Sequence, residues 1–532
     1  MTRDGVKGAC LAIAVVAVLA GAGCHDLETI GILAADAGET VSRVTDAAID
    51  AGALVVTIDE CAAGGAPDLD AATIHALTSG GRQGAVRWLY PYDGTVFPGG
   101  MLAPLLMWSD DDATDDVVYL HIHSSSFDYR ACTKPTAPGQ LQVPQKAWAI
   151  AGEGTAGAAD PFSLEITVLA GETVLGPASE KVVIATAPLP GSVYYMSLAS
   201  KQWPAPAAVI AVPPGQSAQL ALGETGCYGC HSLAAGGSRL IAYASGMGGS
   251  FALSGGAASN PPSLSGSVPG GEAPGITPDG TLYVSSAHPA GVNLKTYGSF
   301  TFNAGLYDAV SGASIPDSGV PAGAMFPAFS PDGRSLVFND FAIESGKGLA
   351  IQDFSESARQ TSNYRQLYTD PMNYPAWPSF LPDDSAVIFQ LGSSPDYSGD
   401  GTGLGISSAG PPTDLYLVDT KTQAVTILAR AMGFATAADV ASGTTYLPFG
   451  GGETHENYGT SVFPVAAGGY AWVLFDSMRH YGNAGQLRQI WGAAIDVAPD
   501  GAYVTDPSHP AFFLPGQEIG AENFHAVAAM DP

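Results

Sequence analysis

Two cysteines and a histidine lie within five residues near the middle of the chain, in the segment Cys227-Tyr228-Gly229-Cys230-His231. Thiols at this spacing, with an imidazole directly after the second, are typical of covalent haem c attachment. Each thiol can add across one vinyl group of the porphyrin, and the adjacent imidazole can then give an axial nitrogen to the iron. We therefore predict that Cys227 and Cys230 attach haem c and that His231 ligates its iron.

Two other interpretations of the same residues stay open. A disulfide between Cys227 and Cys230 would close a small loop, with His231 merely nearby. Half of a zinc site is the second alternative, although zinc needs further ligands and no other CxxC or HxxxH occurs in the sequence. For a second axial haem ligand we select Met247, the nearest downstream sulfur. The alternatives are an open sixth position or one of Met325, Met372, His288, His455 and His480.

The composition indicates a soluble chain of short strands and many turns. Of its 532 residues, 67 are glycine and 39 are proline, while only 13% are charged. The formal net charge of −30 argues against a nucleic-acid partner, because phosphates would be repelled. It is compatible with a basic redox protein, or another envelope protein, as partner.

The N-terminus has the features of an export signal. Arg3 and Lys7 precede an apolar run over residues 9–20, and small residues then lead to Cys24. This segment resembles a bacterial lipoprotein signal, although Gly21 stands where leucine is usual. The resemblance implies a signal over residues 1–24, lipidation of Cys24, and a periplasmic or outer-membrane location with the lipid as the sole membrane anchor. Ordinary cleavage near this point, or an uncleaved anchor, remains the alternative.

The remaining cysteines suggest a disulfide. If Cys10 leaves with the signal, Cys24 carries lipid and the CxxC carries haem, then Cys61 and Cys132 form an even pair in an oxidising compartment. Residues 25–83 are poor in periodic apolar positions, and we predict a flexible tether there, with some helix around residues 39–51.

Residues 84–193 predict an all-β domain, an immunoglobulin- or fibronectin-like sandwich, from strand-and-turn spacing. Strands are expected at residues 86–91, 102–108, 117–123, 147–151, 164–169 and 180–187. His121 and His123 fall on one face of the third of these strands. Together they could bind a metal, but an exposed polar face is the favoured interpretation.

Residues 194–532 contain a repeat of strand, Pro-Asp-Gly turn and strand. It is clear at 273–284, 326–338 and 377–389, and degenerate at 230–243 and 461–475. The interval of roughly 50 residues approaches the length of a four-stranded propeller blade. The repeat resembles that of the TolB-type propeller family, which implies a β-propeller, here of six blades, with the CxxCH in the first. We expect a strand within residues 203–213 to close the last blade.

Other chemistry has weaker support. No Gly-x-Ser-x-Gly occurs, so a serine hydrolase is disfavoured. The loop 396–402 alternates oxygen donors as calcium loops do, but Ser407 stands where an EF-hand needs glutamate, and a solvated turn is favoured over calcium. Two functions follow: an extracytoplasmic haem c protein that transfers electrons, or a non-enzymatic propeller that serves as a binding or scaffold module, its CxxC a disulfide.

Overall fold

The computed structural model describes residues 55–61, 69–110, 117–203, 207–223, 229–244, 247–259, 262, 264–266, 274–285, 304–341, 346–393, 412–498 and 501–531. Side chains are not described at 229, 230, 243, 244, 247, 248 and 264–266. The signal 1–24 with Cys24, the proposed helix at 39–51, Cys227, His288 and the loop 396–402 with Ser407 therefore lie outside the described residues.

The N-terminal part folds into two sheets that share one core. Its strands are β1 Val56–Glu60, β2 Val86–Tyr90, β3 Thr95–Phe97, β4 Leu105–Asp110, β5 Val117–His123, β6 Phe127–Thr133, β7 Gln140–Gln142, β8 Phe162–Ala170 and β9 Thr173–Ile184. One sheet has the order β1-β6-β5-β8-β9-β3 and the other the order β2-β4-β7. Alternate apolar residues of both sheets, such as Trp88, Leu106, Leu120 and Ile166, are buried together.

Two helices correct the sequence-based interpretation of this part. Helix α1, Ala71–Ser79, begins after Asp70, whose carboxylate accepts a hydrogen bond from the Thr73 N–H at 2.7 Å. Helix α2, Gln145–Glu153, occupies the stretch for which a strand is predicted at 147–151. Its residues Ala147, Trp148 and Ala151 are buried, and this i, i+1, i+4 spacing is that of a helix face rather than of a strand.

The tether predicted for residues 25–83 is wrong at β1 and α1. Strand β1 pairs in parallel with β6, from Val56 opposite Phe127 to Glu60 opposite Ala131. Cys61, directly after β1, is joined to Cys132 in β6 by a disulfide. Strand β1 is mostly exposed, which is why its sequence lacks the apolar alternation of a core strand.

The rest of the chain forms four-stranded sheets in succession. The first three strands are β10 Gly191–Leu198, β11 Ala207–Val212 and β12 Gln219–Leu222, so this part begins at 191 rather than 194. The next two sheets contain β13 Gly229–Leu233, β14 Arg239–Ala244, β15 Met247–Ser254, β16 Ala257–Ala258 and β17 Leu264–Gly266, then β18 Gly275–Ile276, β19 Leu282–Val284, β20 Leu306–Asp308 and β21 Ser314–Ile315. In the former, β17 is a fifth strand that pairs with β15.

Three further sheets follow the same plan. They contain β22 Ala324–Phe329, β23 Ser335–Asp340, β24 Gly348–Ser355 and β25 Gln360–Thr369; β26 Tyr374–Phe380, β27 Ala386–Gly392, β28 Thr413–Asp419 and β29 Val425–Ile427; and β30 Asn457–Val462, β31 Tyr470–Ser477, β32 Gln489–Asp496 and β33 Phe512–Phe513. Two short helices, α3 Ala429–Met432 and α4 Ala437–Ser442, lie between the last two sheets in sequence, and the chain ends in β34 Glu522–Met530.

These sheets close into a ring. The described residues from 191 onward form six sheets, and strand β34 pairs with β10, so the first of these sheets has the order β12-β11-β10-β34. The innermost strands contact one another in the cycle β34, β13, β18, β22, β26, β30 and back to β34. This is a six-bladed β-propeller. The closing strand comes from the C-terminus, not from residues 203–213, and the CxxCH segment enters the second sheet of the ring, not the first.

The Pro-Asp-Gly turns have the geometry that their sequence predicts. Gly280 and Gly333 have φ values of 78° and 72°, which glycine adopts without a steric penalty. Asp332 accepts a hydrogen bond from the Arg334 N–H at 2.9 Å. In the third clear unit Asp384 occupies the glycine position, with φ of 59°.

The N-terminal sheets pack directly on the propeller, with which they share a continuous core. The Phe513 N–H donates to the Tyr90 hydroxyl at 3.0 Å, and the rings of Phe513 and Tyr481 stack at 3.6 Å. Arg479, fully buried, donates to Asn457 Oδ1 at 2.6 Å and lies over the Trp491 ring. None of the helices in the described residues has the length and apolar character that crossing a bilayer requires.

Candidate functional site

The innermost strands of five blades carry an extra residue at equivalent positions. Phe326, Trp377, Gly459 and His525 lie in these bulges, and all four have positive φ, between 47° and 63°. In β13 the register also shifts between Gly229 and His231, which makes Cys230 the extra residue. Cys230 precedes Ala234 by four residues, as Phe326 precedes Ser330, and both Ala234 and Ser330 open the following turn. The second cysteine of the motif therefore stands at a bulge of the ring.

Three of the bulge residues line a cavity enclosed by the innermost strands, which we call the central channel. The channel has a volume of about 140 Å³ and is lined by all six innermost strands, with Phe326, Trp377 and His525 among its lining residues. The rings of Phe326 and Trp377 lie 4.4 Å apart, and those of Trp377 and His525 also 4.4 Å. These three rings form an aromatic cluster on the channel wall, and His525 brings it next to His231.

His231 is the one residue of the predicted haem site whose side chain is described, and it is fully buried. Its ring lies 5.1 Å from that of His525, in a T-shaped arrangement. Among the described residues neither of its ring nitrogens has a hydrogen-bond partner. Burial lowers the pKa of His231 well below its usual value, and His525 lowers this pKa further. The nearby Tyr194 backbone raises the pKa, although it does not reach hydrogen-bond geometry. The imidazole is therefore neutral at physiological pH.

His525 is a site residue that the sequence analysis did not select. Its Nε2–H donates to the carbonyl oxygen of His231 at 2.8 Å, and its own N–H donates to Asp476 Oδ1 at 3.1 Å. Burial lowers the pKa of His525 to about 4, the hydrogen bond to His231 raises it, and Arg488 lowers it further. Asp476 and Arg488 form a buried ion pair next to it. Its one signal in the sequence is that it is a histidine in the closing strand. This signal could not be used, because the predicted topology placed the closing strand within residues 203–213.

The donor chemistry of this site fits a haem iron, while the central channel does not fit a porphyrin. A neutral imidazole with unpaired nitrogens has a lone pair available for iron. A volume of about 140 Å³ lies below the roughly 300–1,000 Å³ of pockets that enclose drug-sized ligands. A porphyrin would therefore have to lie outside the channel, and His231, which has no exposed surface here, would have to leave its contact with His525 to reach the iron.

The sulfur candidates for the second axial position differ in their surroundings. Met247 begins β15, where it pairs with Ala244 of β14, and its side chain is not described. Met325 lies inside β22, fully buried against Phe341 and Ala376. Met372 is 73% exposed in the turn before β26. The structure does not bring either described methionine side chain into contact with His231.

The described histidine candidates for the same position are engaged elsewhere. His455 Nδ1 lies 2.7 Å from Asp414 Oδ1. His480 Nδ1 lies 2.5 Å from Glu453 Oε1, with its ring stacked on Phe449 at 4.5 Å. Both therefore have carboxylate partners that fix their orientation.

Comparisons with known proteins identify no family for this chain. No protein-family model matches it, and no curated protein matches it. Among solved structures, TolB from Acinetobacter baumannii is similar at 13% identity and a TM-score of 0.39, over 83% of this chain and 98% of that one. A chain of a nidogen/laminin complex is similar at 10% identity and a TM-score of 0.35, over 63% and 98% respectively. Because both scores are below 0.5, these likenesses carry no argument here, and the propeller assignment rests on the sheet order and the ring of inner strands.

Proposed function

We propose that this chain is an extracytoplasmic electron-transfer protein that carries haem c on Cys227 and Cys230, with His231 as an axial ligand. The observation that carries the proposal is the CxxCH sequence together with a His231 imidazole that is neutral and whose nitrogens are unpaired among the described residues. Once attached, haem supplies a one-electron couple. The lipid anchor at Cys24, the envelope location and the second ligand Met247 belong to the same proposal.

The propeller contributes position and charge. The motif runs into an inner strand whose bulge is held by the closing strand through the His525–His231 hydrogen bond. This bond ties the described end of the motif to the strand that closes the ring. The net charge of −30 favours a basic redox partner, because complementary charge accelerates encounter. We propose no catalytic residue and no calcium site for this function.

A second candidate function has one observation in its favour. His231 is fully buried and packed against His525, as a structural histidine would be. In that case Cys227 and Cys230 would form a disulfide, and the propeller would be a binding or scaffold module displayed on the envelope.

One experiment separates the two candidates. The full chain is expressed in a host with cytochrome c maturation and examined by pyridine haemochrome spectrum and by mass after denaturation. We expect the mass of one haem to survive denaturation, and to be lost in the double variant Cys227→Ala, Cys230→Ala. The double variant Cys61→Ala, Cys132→Ala removes the Cys61–Cys132 disulfide and should retain haem. A colourless wild-type protein without free thiols at Cys227 and Cys230 would support the scaffold function instead.

A further inference from the structure

Two histidines and a glutamate come together on the six-stranded sheet of the N-terminal part. His121 and His123 alternate along β5, and Glu165 of β8 pairs directly with His121. One ligand atom from each of the three side chains lies within 4.8 Å of the others. All three side chains stand on paired strands, so their backbones are fixed by the sheet.

A fourth side chain, Asp128, faces the Nε2 atom of His121. His121 Nδ1 lies 3.4 Å from Glu165 Oε2, and His121 Nε2 lies 3.3 Å from Asp128 Oδ1. The latter two atoms are buried without a hydrogen bond of acceptable geometry. His121 Nδ1 is thus hydrogen-bonded to Glu165, whereas Nε2 faces Asp128 Oδ1 at 3.3 Å without a hydrogen bond. A cation bound at His121 Nδ1 would place the ring proton on Nε2, from which it can be donated to Asp128.

We propose that His121, His123 and Glu165 bind a divalent transition-metal ion of the zinc type, with Asp128 as the outer carboxylate that orients His121. Two imidazoles and one carboxylate suit zinc, nickel or copper, whereas magnesium and calcium prefer oxygen ligands alone. A carboxylate that accepts the second N–H of a ligating histidine is a usual support of such sites. Arg130 Nη2, at 2.7 Å, fixes Asp128 in turn.

The geometry leaves room for the ion and for a solvent ligand. Tetrahedral ligands at zinc distances lie about 3.3 Å apart, so the three donors need only a small closing rotation from their present separation of at most 4.8 Å. His123 and Glu165 are 36% and 34% exposed, which leaves a fourth position open to water. This site does not rest on the proposed haem function.

The test is isothermal titration of the full-length, chelator-stripped protein with ZnCl₂, and separately with MgCl₂. We expect one strong Zn²⁺ equivalent that Mg²⁺ does not reproduce. His123→Ala and Glu165→Gln, both at partly exposed positions, should each weaken that equivalent at least tenfold. Asp128→Asn should keep the stoichiometry and weaken binding about 10–100-fold. His75→Ala, on the exposed face of α1, is the matched control and should bind as the wild type does.

The proposal is overturned if Zn²⁺ binding is absent, or if it is present but unchanged in His123→Ala and Glu165→Gln. The second result would locate the ion elsewhere, for example at the CxxCH segment, which the Cys227→Ala, Cys230→Ala variant would then reveal by losing it. Equal binding of Mg²⁺ would also contradict an imidazole site. Circular dichroism of each variant shows that any loss of binding occurs in a folded protein.

Discussion

The Nε2–H of His525 donates to the carbonyl oxygen of His231 across 2.8 Å, and so joins the strand that closes the propeller to the strand that carries the CxxCH segment. The two residues are 294 positions apart in sequence. Ring closure and the candidate site therefore depend on the same contact. A change that weakens closure should also loosen the end of β13 from which the motif is presented.

Replacement of His525 by alanine should destabilise the protein. The buried carbonyl of His231 would lose its donor, and we expect a loss of about 1–3 kcal/mol in the free energy of unfolding. Alanine is no better suited than histidine to the φ of 54° at this position, so relief of backbone strain should not mask the loss. Urea unfolding at pH 7.5, followed by circular dichroism, measures it.

The control for this prediction is His75→Ala, which removes an exposed imidazole on α1 and should change stability by no more than about 0.5 kcal/mol. A His525→Ala protein as stable as this control would show that the contact between β34 and β13 contributes nothing to closure.

The repeating part of the fold was accessible from the sequence because each unit carries its own local signal. A proline, an aspartate and a residue with positive φ specify a turn whatever surrounds it, and the turns at Gly280, Gly333 and Asp384 recur at a blade interval. The strand that closes the propeller was not predictable from such a local signal. Strand β34 has no turn motif, and its pairing with β10 spans almost the whole propeller in sequence.

The candidate site was predictable only where residue type alone decides. The CxxCH segment is recognisable from its sequence, but its neighbours in space are not. His525 comes next to His231 only because the propeller closes, and the two residues are far apart in the sequence. The predictions at helix α2 and strand β1 failed because the local sequence does not decide the structure of these two segments. A short apolar run such as 147–151 suits a strand or a buried helix equally, and β1 owes its position to backbone pairing and to the Cys61–Cys132 bond.

Loss of the Cys61–Cys132 disulfide should release β1. The bond closes a separation of 71 residues, for which loop-closure entropy gives a stabilisation of about 4 kcal/mol as an upper figure. Strand β1 is mostly exposed at the edge of its sheet, so little burial would hold it in place afterwards. We expect the double variant Cys61→Ala, Cys132→Ala to lose about 2–4 kcal/mol in urea unfolding and to become sensitive to proteolysis near residues 56–61.

Reductant provides the internal control for the disulfide. Dithiothreitol during unfolding should lower the stability of the wild type to that of the double variant and leave the variant unchanged. An equal response of both proteins, or of neither, would contradict a stabilising bond between these two cysteines.

Asp384 should make the free energy of unfolding depend on pH. Burial, together with Asp332 and Asp383, raises the pKa of Asp384 from 3.8 to about 7. A raised carboxyl pKa means that the folded state binds the proton more tightly than the unfolded state does. The contribution of Asp384 is therefore fully present below about pH 4 and is lost as the pH rises to about 7.

Two substitutions separate charge from backbone strain at this position. Asp384→Asn removes the charge, and Asp384→Gly also relieves the φ of 59°, as glycine does in the two other clear units. At pH 8 we expect Asp384→Asn to exceed the wild type by about 1–2 kcal/mol after allowance for partial solvent exposure, and Asp384→Gly to differ further by up to about 1 kcal/mol. At pH 4 the advantage of Asp384→Asn should nearly vanish, since the wild-type carboxyl is then protonated in the folded state and partly protonated in the unfolded state. Urea unfolding at the two pH values checks this prediction, with the exposed Glu172→Gln as control. If the advantage of Asp384→Asn is equal at pH 4 and pH 8, its origin is not the carboxyl charge.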